Sequence, residues 1–497
     1  MSGVVAAGHP LTAEAGAAVL REGGNAVDAA VAAVLMSFVA EPPLTGPAAG
    51  GFMLVHTAGG ESALLDFFVG APGEGGAATP GPLEPIEVHF ASDAVQVFYV
   101  GCSSCGVYGT PAGLEAALER WGTLGLGDLV AEPARAARDG VEIGPRQAYL
   151  HEILAPIYAS TPEGRAVFEP DGRPLREGER WRHSDLGDLL ERLGSEGPAF
   201  LYTGDVARAV CDWVGKRGGL ITEADLAAYE PIAREPAEVA YRGRRILTNP
   251  PPAPGGPLIA YALGCLERVD REPTPAETVA AMALANEART EDFFESLHRD
   301  GFLETFLRKS AAERLGSTTH ISVMDDDGAC ASVTCSNGSG SGVVVPGTGL
   351  HMNNMLGEED LNPHGWHRHR PGRRVPSMMA PTVVLRDGRP ELALGSAGSN
   401  RIRSAILQTI VGFVDAGLGV EEAVERPRLH LEAATVEAEP GFAEDGLAEI
   451  EAAGRRVHRW RERNLFFGGV QAVAREPGSG ALSGAADSRR GGAVVHA

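Results

Sequence analysis

No segment of this 497-residue chain is long and apolar enough to cross a lipid bilayer. The longest apolar run, Ala29 to Ala40, falls short of the roughly 20 residues a span requires and contains Ser37, so it is expected to form a buried helix. Positive charge is in deficit, with 43 Lys plus Arg against 66 Asp plus Glu and a net charge of -23, which disfavours nucleic acid or an anionic membrane as a partner. Cysteine is scarce and scattered. Of the six, only Cys102 and Cys105 form a C-x-x-C, no second pair lies at zinc spacing, and the flanking Gly101, Ser103, Ser104 and Gly106 read as a loop. A reduced, cytoplasmic protein without a disulfide framework, metal centre or cofactor is therefore expected. Met1 to Pro10 carries no charged n-region and no long apolar segment, so no secretory signal is expected. The Gly-rich loop Thr45 to Gly51 lacks a following Lys-Ser or Lys-Thr, which argues against a phosphate-binding P-loop. No Pro/Ser-rich linker or internal repeat interrupts the chain. Length alone suggests about three domains, yet one intertwined unit is the simplest organisation.

What remains is an ordinary globular composition, 44% hydrophobic and 22% charged. Leu11 to Arg21 has helical spacing and stops at Gly23-Gly24, after which Asn25 is placed to cap a second helix from Ala26 to about Val39. Strands are expected over Phe52 to His56, Ser62 to Phe67 and Arg242 to Thr248. Residues 113 to 230 read mostly as helices, and Ala276 to Leu315 as helices ending at Arg314-Leu315-Gly316-Ser317.

The stretch that carries chemistry begins at Thr318. Ile321, Val323, Ala331 and Val333 alternate with smaller or polar residues around the turn Asp325-Asp326-Asp327-Gly328, which predicts a β-hairpin with Thr318 at its leading end. Threonine is also a common strand residue, so an ordinary strand start is one reading. The other is a nucleophile. A threonine hydroxyl needs a base, and its own α-amine supplies one once the preceding peptide bond is cut, which requires self-cleavage at Ser317-Thr318.

Taken with its flanks, this stretch resembles the γ-glutamyltranspeptidase family. The likeness runs through Gly342-Val343-Val344-Val345-Pro346-Gly347-Thr348-Gly349 and Asn353-Asn354. It extends, in the family's order, to Gly23-Gly24-Asn25-Ala26-Val27-Asp28, Gly50-Gly51-Phe52-Met53, Gly109-Thr110-Pro111, Asn249-Pro250-Pro251-Pro252, Pro376-Ser377-Met378 and Pro427-Arg428. The resemblance implies an α/β fold, the four-layer αββα sandwich of N-terminal-nucleophile hydrolases. It also implies a precursor cut into a large segment 1–317 and a small segment 318–497 that stay together as a heterodimer. The implied substrate is a small-molecule amide, with γ-glutamyl hydrolase or transferase activity on glutathione-like compounds. An acylase acting on a different amide and a non-catalytic homologue are the alternatives.

Carried over by resemblance, Thr318 is the nucleophile and Ser336, eighteen residues on, the hydroxyl that bonds to it. Gly398 and Ser399 supply oxyanion amides, with serine tolerable at the second place provided its φ need not be positive. Asn337 stands for a substrate-binding Asn, Glu358 for the acid that grips the substrate α-amine, and Ser377 for a carboxylate-binding hydroxyl. Three donors or acceptors of the family are replaced, by Phe68, Met355 and Pro376. Phe68 stands where an arginine would fork onto the substrate carboxylate. An arginine from the segment His364 to Arg374 is expected to take over that task, unless the segment is a solvated loop.

Overall fold

A computed structural model describes residues 2–76, 79–91, 94–299, 301–307, 318–362 and 364–497. The expected hairpin forms from Thr319–Asp325 and Cys330–Ser336, paired from Thr319 opposite Cys335 to Met324 opposite Cys330. Its turn closes through the Asp325 amide donating to the Ala329 carbonyl, with Gly328 at φ 97°. The same turn holds the neighbouring layer, because the Asp325 carboxylate accepts from the Ala26 amide at the start of the buried helix Ala26–Ala40. Asn25 completes that cap by accepting from Val27 and Asp28. All 15 residues of this helix are buried, and each of its larger side chains, such as Leu35 and Phe38, contributes roughly 1.5–3 kcal/mol by leaving water.

Period-2 alternation sends the two faces of the hairpin into different environments. Ile321, Val323, Ala331 and Val333 pack into the cluster beneath the helices Pro10–Arg21 and Ala26–Ala40. His320, Ser322, Ser332 and Thr334 point the other way, towards a second sheet. There the Ser322 hydroxyl donates to the Gln471 carbonyl and that of Ser332 to Leu394, stitching the two sheets together. The His320 ring bonds Thr334 at 2.8 Å and Ser322 at 2.9 Å, and burial lowers its pKa to about 3, so it stays neutral. Gly395 on the facing strand makes room for it, since a Cβ there would lie 2.3 Å from the ring.

The first sheet runs Ala493–His496, Gly3–Ala7, Thr319–Asp325, Cys330–Ser336, Gly50–His56, Ser62–Phe67, Ile232–Arg234. The second runs Leu482–Ala486, Gly469–Arg475, Arg389–Ala397, Thr382–Arg386, Arg244–Thr248, Ala237–Tyr241. Helices Gly255–Leu266 and Arg401–Val414 cover the second sheet from outside, and Pro275–Asn286 packs against the first of them. The layers are therefore helix, sheet, sheet, helix, as expected. Each sheet draws strands from both sides of residue 318.

The early helices and the strand Ser62–Phe67 lie where the spacing puts them. A hairpin of Glu84–Ala91 with Ala94–Val100 was not anticipated. The expected helix end at Arg314 to Ser317 lies outside the described residues. Cys102 and Cys105 are free, buried thiols on a short 3-10 turn. No helix among the described residues is long and apolar enough to cross a membrane.

Candidate active site

Thr318 is buried and immediately precedes the first strand of the hairpin. Continuing the antiparallel register by one residue sets it opposite Ser336, on the same intersheet face as His320 and Thr334. The Ser336 hydroxyl accepts from the Gly338 amide at 2.8 Å. Thr318 and Ser336 thus close the row of polar side chains at the end of the sandwich.

Thr318 lines a small cavity together with Phe68, Glu358, Ser377 and Ser399, so most of the residues singled out in the sequence meet around one space. Phe68 is fully buried and stacks on Phe52 with ring centroids 5.2 Å apart. Met355, Leu361, Met378, Met379 and Ile402 make most of the remaining wall apolar. Asn337 is not part of this lining; its Nδ2 donates to the His351 carbonyl at 3.0 Å.

Two acids face the cavity. Glu358 Oε1 accepts from the Ser339 amide at 3.0 Å, and burial nevertheless pushes its pKa up to about 7. Asp360, which the sequence reading passed over, is buried with neither carboxyl oxygen bonded to a described group. Burial and the charge of Glu358 hold its pKa well above the usual carboxylate range. An acid in the run Glu358-Glu359-Asp360 reads as surface, and only the 3-10 turn Glu359–Leu361 turns it inward.

Gly398 and Ser399 sit between the strand Arg389–Ala397 and the helix Arg401–Val414, the position at which free amides gather. Their carbonyls accept from Arg401 and Ile402, while no described group accepts from their own N–H. Gly398 has φ 110°, and a Cβ there would lie 2.8 Å from the Gly468 Cα. Ser399 has φ 70°, so the expected condition on its backbone fails: serine occupies a left-handed conformation, and its hydroxyl is buried without a described partner.

The expectation that an arginine of the 364–374 segment replaces the missing one is corrected. Arg374 bonds Asp66 at 3.2 Å, donates to the Glu230 carbonyl and lies over the Tyr229 ring, and no arginine lines the cavity among the described residues. His367 and His369 bond the carbonyls of Ser103 and Leu361. Among the described residues, no cluster of three or more His, Cys, Asp or Glu is arranged to hold a metal.

Two facing antiparallel sheets between helix layers, with a threonine at the leading end of a central strand, define an N-terminal-nucleophile hydrolase. Residues 12–300 and 284–497 match the family described as Gamma-glutamyltranspeptidase, and the chain belongs to it. It is 34% identical to the Acylase ACY 1 proenzyme of Pseudomonas sp. (strain SE83), covering 99% of this chain and 93% of that protein. It is 30% identical to the Glutathione hydrolase proenzyme of Escherichia coli (strain K12), covering 98% and 90%. The structure of cephalosporin acylase from Bacillus halodurans superposes with a TM-score of 0.84 at 27% identity, covering 99% of this chain and 95% of that one. The chain is thus an enzyme of the hydrolase and acyltransferase kind.

Proposed function

We propose that the chain is a self-cleaving threonine acylase whose acyl pocket favours a mainly apolar acyl group ending in an ammonium. In the first step Thr318 Oγ attacks the Ser317 carbonyl, the C–N bond breaks, and water hydrolyses the resulting ester. This leaves a carboxylate on segment 1–317 and a free amine on Thr318. In turnover that amine takes the proton from Oγ as the oxygen attacks an amide carbonyl. The amides of Gly398 and Ser399 stabilise the oxyanion, and the proton passes to the departing amine. Water or a second amine then attacks the acyl ester, and Oγ leaves and recovers its proton. Ser336 bonds to the nucleophile in this scheme and steadies its orientation.

The observation that carries the acyl preference is the lining itself. Phe68 and Met355 offer nothing to a carboxylate and no arginine among the described residues lines the cavity, whereas Glu358 and Asp360 place acids there for a cation. Glu358 also supports a second reading, γ-glutamyl transfer from glutathione-like donors, because a γ-glutamyl group brings an α-amine together with its carboxylate. The two readings differ by that carboxylate.

Intact mass comes first. The 51.9 kDa chain is expected to appear as two fragments divided before Thr318, and Thr318→Ala to remain whole. The purified protein is then offered 4-aminobutyryl, butyryl and γ-glutamyl 4-nitroanilides. A preference for 4-aminobutyryl supports the acylase reading. A tenfold or greater preference for γ-glutamyl replaces it with the second, and an uncut chain inert to all three sinks both.

A further inference from the structure

The side chains that bring a hydroxyl or carboxyl to the acyl cavity are those of Thr318, Glu358, Asp360, Ser377 and Ser399. Thr318 is the nucleophile, Glu358 accepts from the Ser339 amide, and the Ser377 hydroxyl accepts from the Met379 amide at 3.2 Å. Asp360, bonded to no described group, is one of the two acids placed for a cation. Ser399 has no such task for its side chain. The residue is 5% exposed, its hydroxyl is shut off from bulk water without a described partner, and its backbone stands at φ 70°. Glycine there would remove both costs, the left-handed backbone of an L-residue and the buried, unpaired hydroxyl. Strain and an unmet hydrogen bond on one residue at the reacting centre mark a side chain retained for what it does to a ligand.

The place of that hydroxyl limits what it can reach. The Ser399 amide serves the oxyanion, and Oγ is a few covalent bonds from that amide, so it meets the part of the acyl group beside the reacting carbonyl and not the far end. At positive φ the Cα–Cβ bond turns away from the residue's own N–H, so amide and hydroxyl address different atoms. Glu358 and Asp360 draw a cation to themselves and repel a carboxylate, whereas a neutral hydroxyl is a partner that serine can both donate to and accept from. We propose that the Ser399 hydroxyl reads a hydroxyl on the carbon next to the scissile carbonyl, which makes 2-hydroxyacyl amides the substrate class. This rests on the assignment of Thr318 as nucleophile and of its cavity as the acyl pocket. Because the nucleophile and the oxyanion amides fix the plane of the carbonyl, Ser399 stands on one side of the neighbouring carbon and selects one enantiomer.

Both enantiomers of 4-amino-2-hydroxybutyryl 4-nitroanilide, and the 4-aminobutyryl compound that lacks the 2-hydroxyl, are offered to the purified full chain, to Ser399→Ala and to Ser399→Gly. In the wild type, kcat/KM for one enantiomer is expected to exceed that for the other, and that for the compound without the hydroxyl, by about tenfold. In both variants the two ratios are expected to fall to about twofold or less. Ser399→Ala keeps the strained backbone and Ser399→Gly relaxes it, so a loss shared by both belongs to the hydroxyl; if Ser399→Ala does not fold, Ser399→Gly decides. A wild type indifferent to the 2-hydroxyl and its handedness, or a preference that survives in Ser399→Gly, overturns the proposal. The matching amides, 4-amino-2-hydroxybutyramide and 4-aminobutyramide, are titrated calorimetrically into the same proteins and need no turnover. A wild type that cleaves no anilide yet binds the hydroxylated amide about tenfold more tightly, with the difference lost in Ser399→Gly, overturns the function proposed above and upholds the role of Ser399. Equal binding of the two amides overturns that role.

Discussion

Substituting Glu358 with glutamine tests the acyl pocket and the protonation of its acids together. The glutamine keeps the size of the side chain, and its carbonyl can still accept from the Ser339 amide. What it removes is a carboxyl whose pKa burial pushes from 4.5 up to about 7. The folded chain therefore binds that proton more tightly than the unfolded chain. The stability this gives is fully present below about pH 4.5 and is lost as the pH rises through 7. The interval is worth about 3 kcal/mol at 1.36 kcal/mol per pH unit. Above pH 8 the variant should accordingly unfold at higher urea, by up to about 3 kcal/mol, and its stability should fall less steeply between pH 5 and 8. Removing the charge beside Asp360 flattens the slope further, because Glu358 is one of the groups holding that carboxyl up. The same substitution should raise KM for 4-aminobutyryl anilide about tenfold or more and leave butyryl anilide nearly unaffected, since only the first brings an ammonium. Parallel stability curves for wild type and variant, or equal losses on both anilides, would refute the reasoning.

Three other substitutions check separate parts of the site. Ser399→Gly should stabilise the fold by roughly 0.5–1 kcal/mol, read as a higher urea midpoint, because relief of the left-handed backbone outweighs the added freedom of the unfolded glycine; a lower midpoint would mean the buried hydroxyl is bonded in solution. Gly395→Ala drives a Cβ to 2.3 Å from the His320 ring and should destabilise by about 3 kcal/mol or leave the chain insoluble, read from the same midpoint or from yield. Ser336→Ala should slow the appearance of the two fragments about ten- to hundredfold in a mass-spectrometric time course, with Ser336→Thr close to wild type.

The hairpin at Thr318 was legible because two signals agree there, an Asp-Gly turn and an alternation that puts Ile321 and Val323 on one face. The helix start at Asn25 was legible for a similar reason, since a cap is a local pattern of one side chain and the next few amides. The site is different, because its members come from distant stretches and meet only in space. Phe68, Glu358, Ser377 and Ser399, named by resemblance, line one cavity, whereas Asn337 Nδ2 donates to the His351 carbonyl outside that lining. Nothing in the sequence signals that Asp360 turns inward, that Ser399 is left-handed, or that Arg374 is held by Asp66. Each depends on backbone direction or on a partner hundreds of residues away. Alternation at Ile86 and Val88 did mark the strand Glu84–Ala91, and the sequence reading left that stretch without an assignment.

The strand order has a consequence for the lifetime of the enzyme. Gly3–Ala7 is clamped between Ala493–His496 and Thr319–Asp325, and further along the sheet Cys330–Ser336 pairs with Gly50–His56 of the other segment. Breaking the chain before Thr318 removes one covalent link and none of these pairings, so the fragments are held by the sheets themselves. Once such a molecule does come apart, its pieces must find each other by diffusion, and reassembly slows with dilution as no single chain's refolding would. A chain cut there would then be protected by the height of its unfolding barrier more than by any reversible equilibrium, and its loss would be a one-way event.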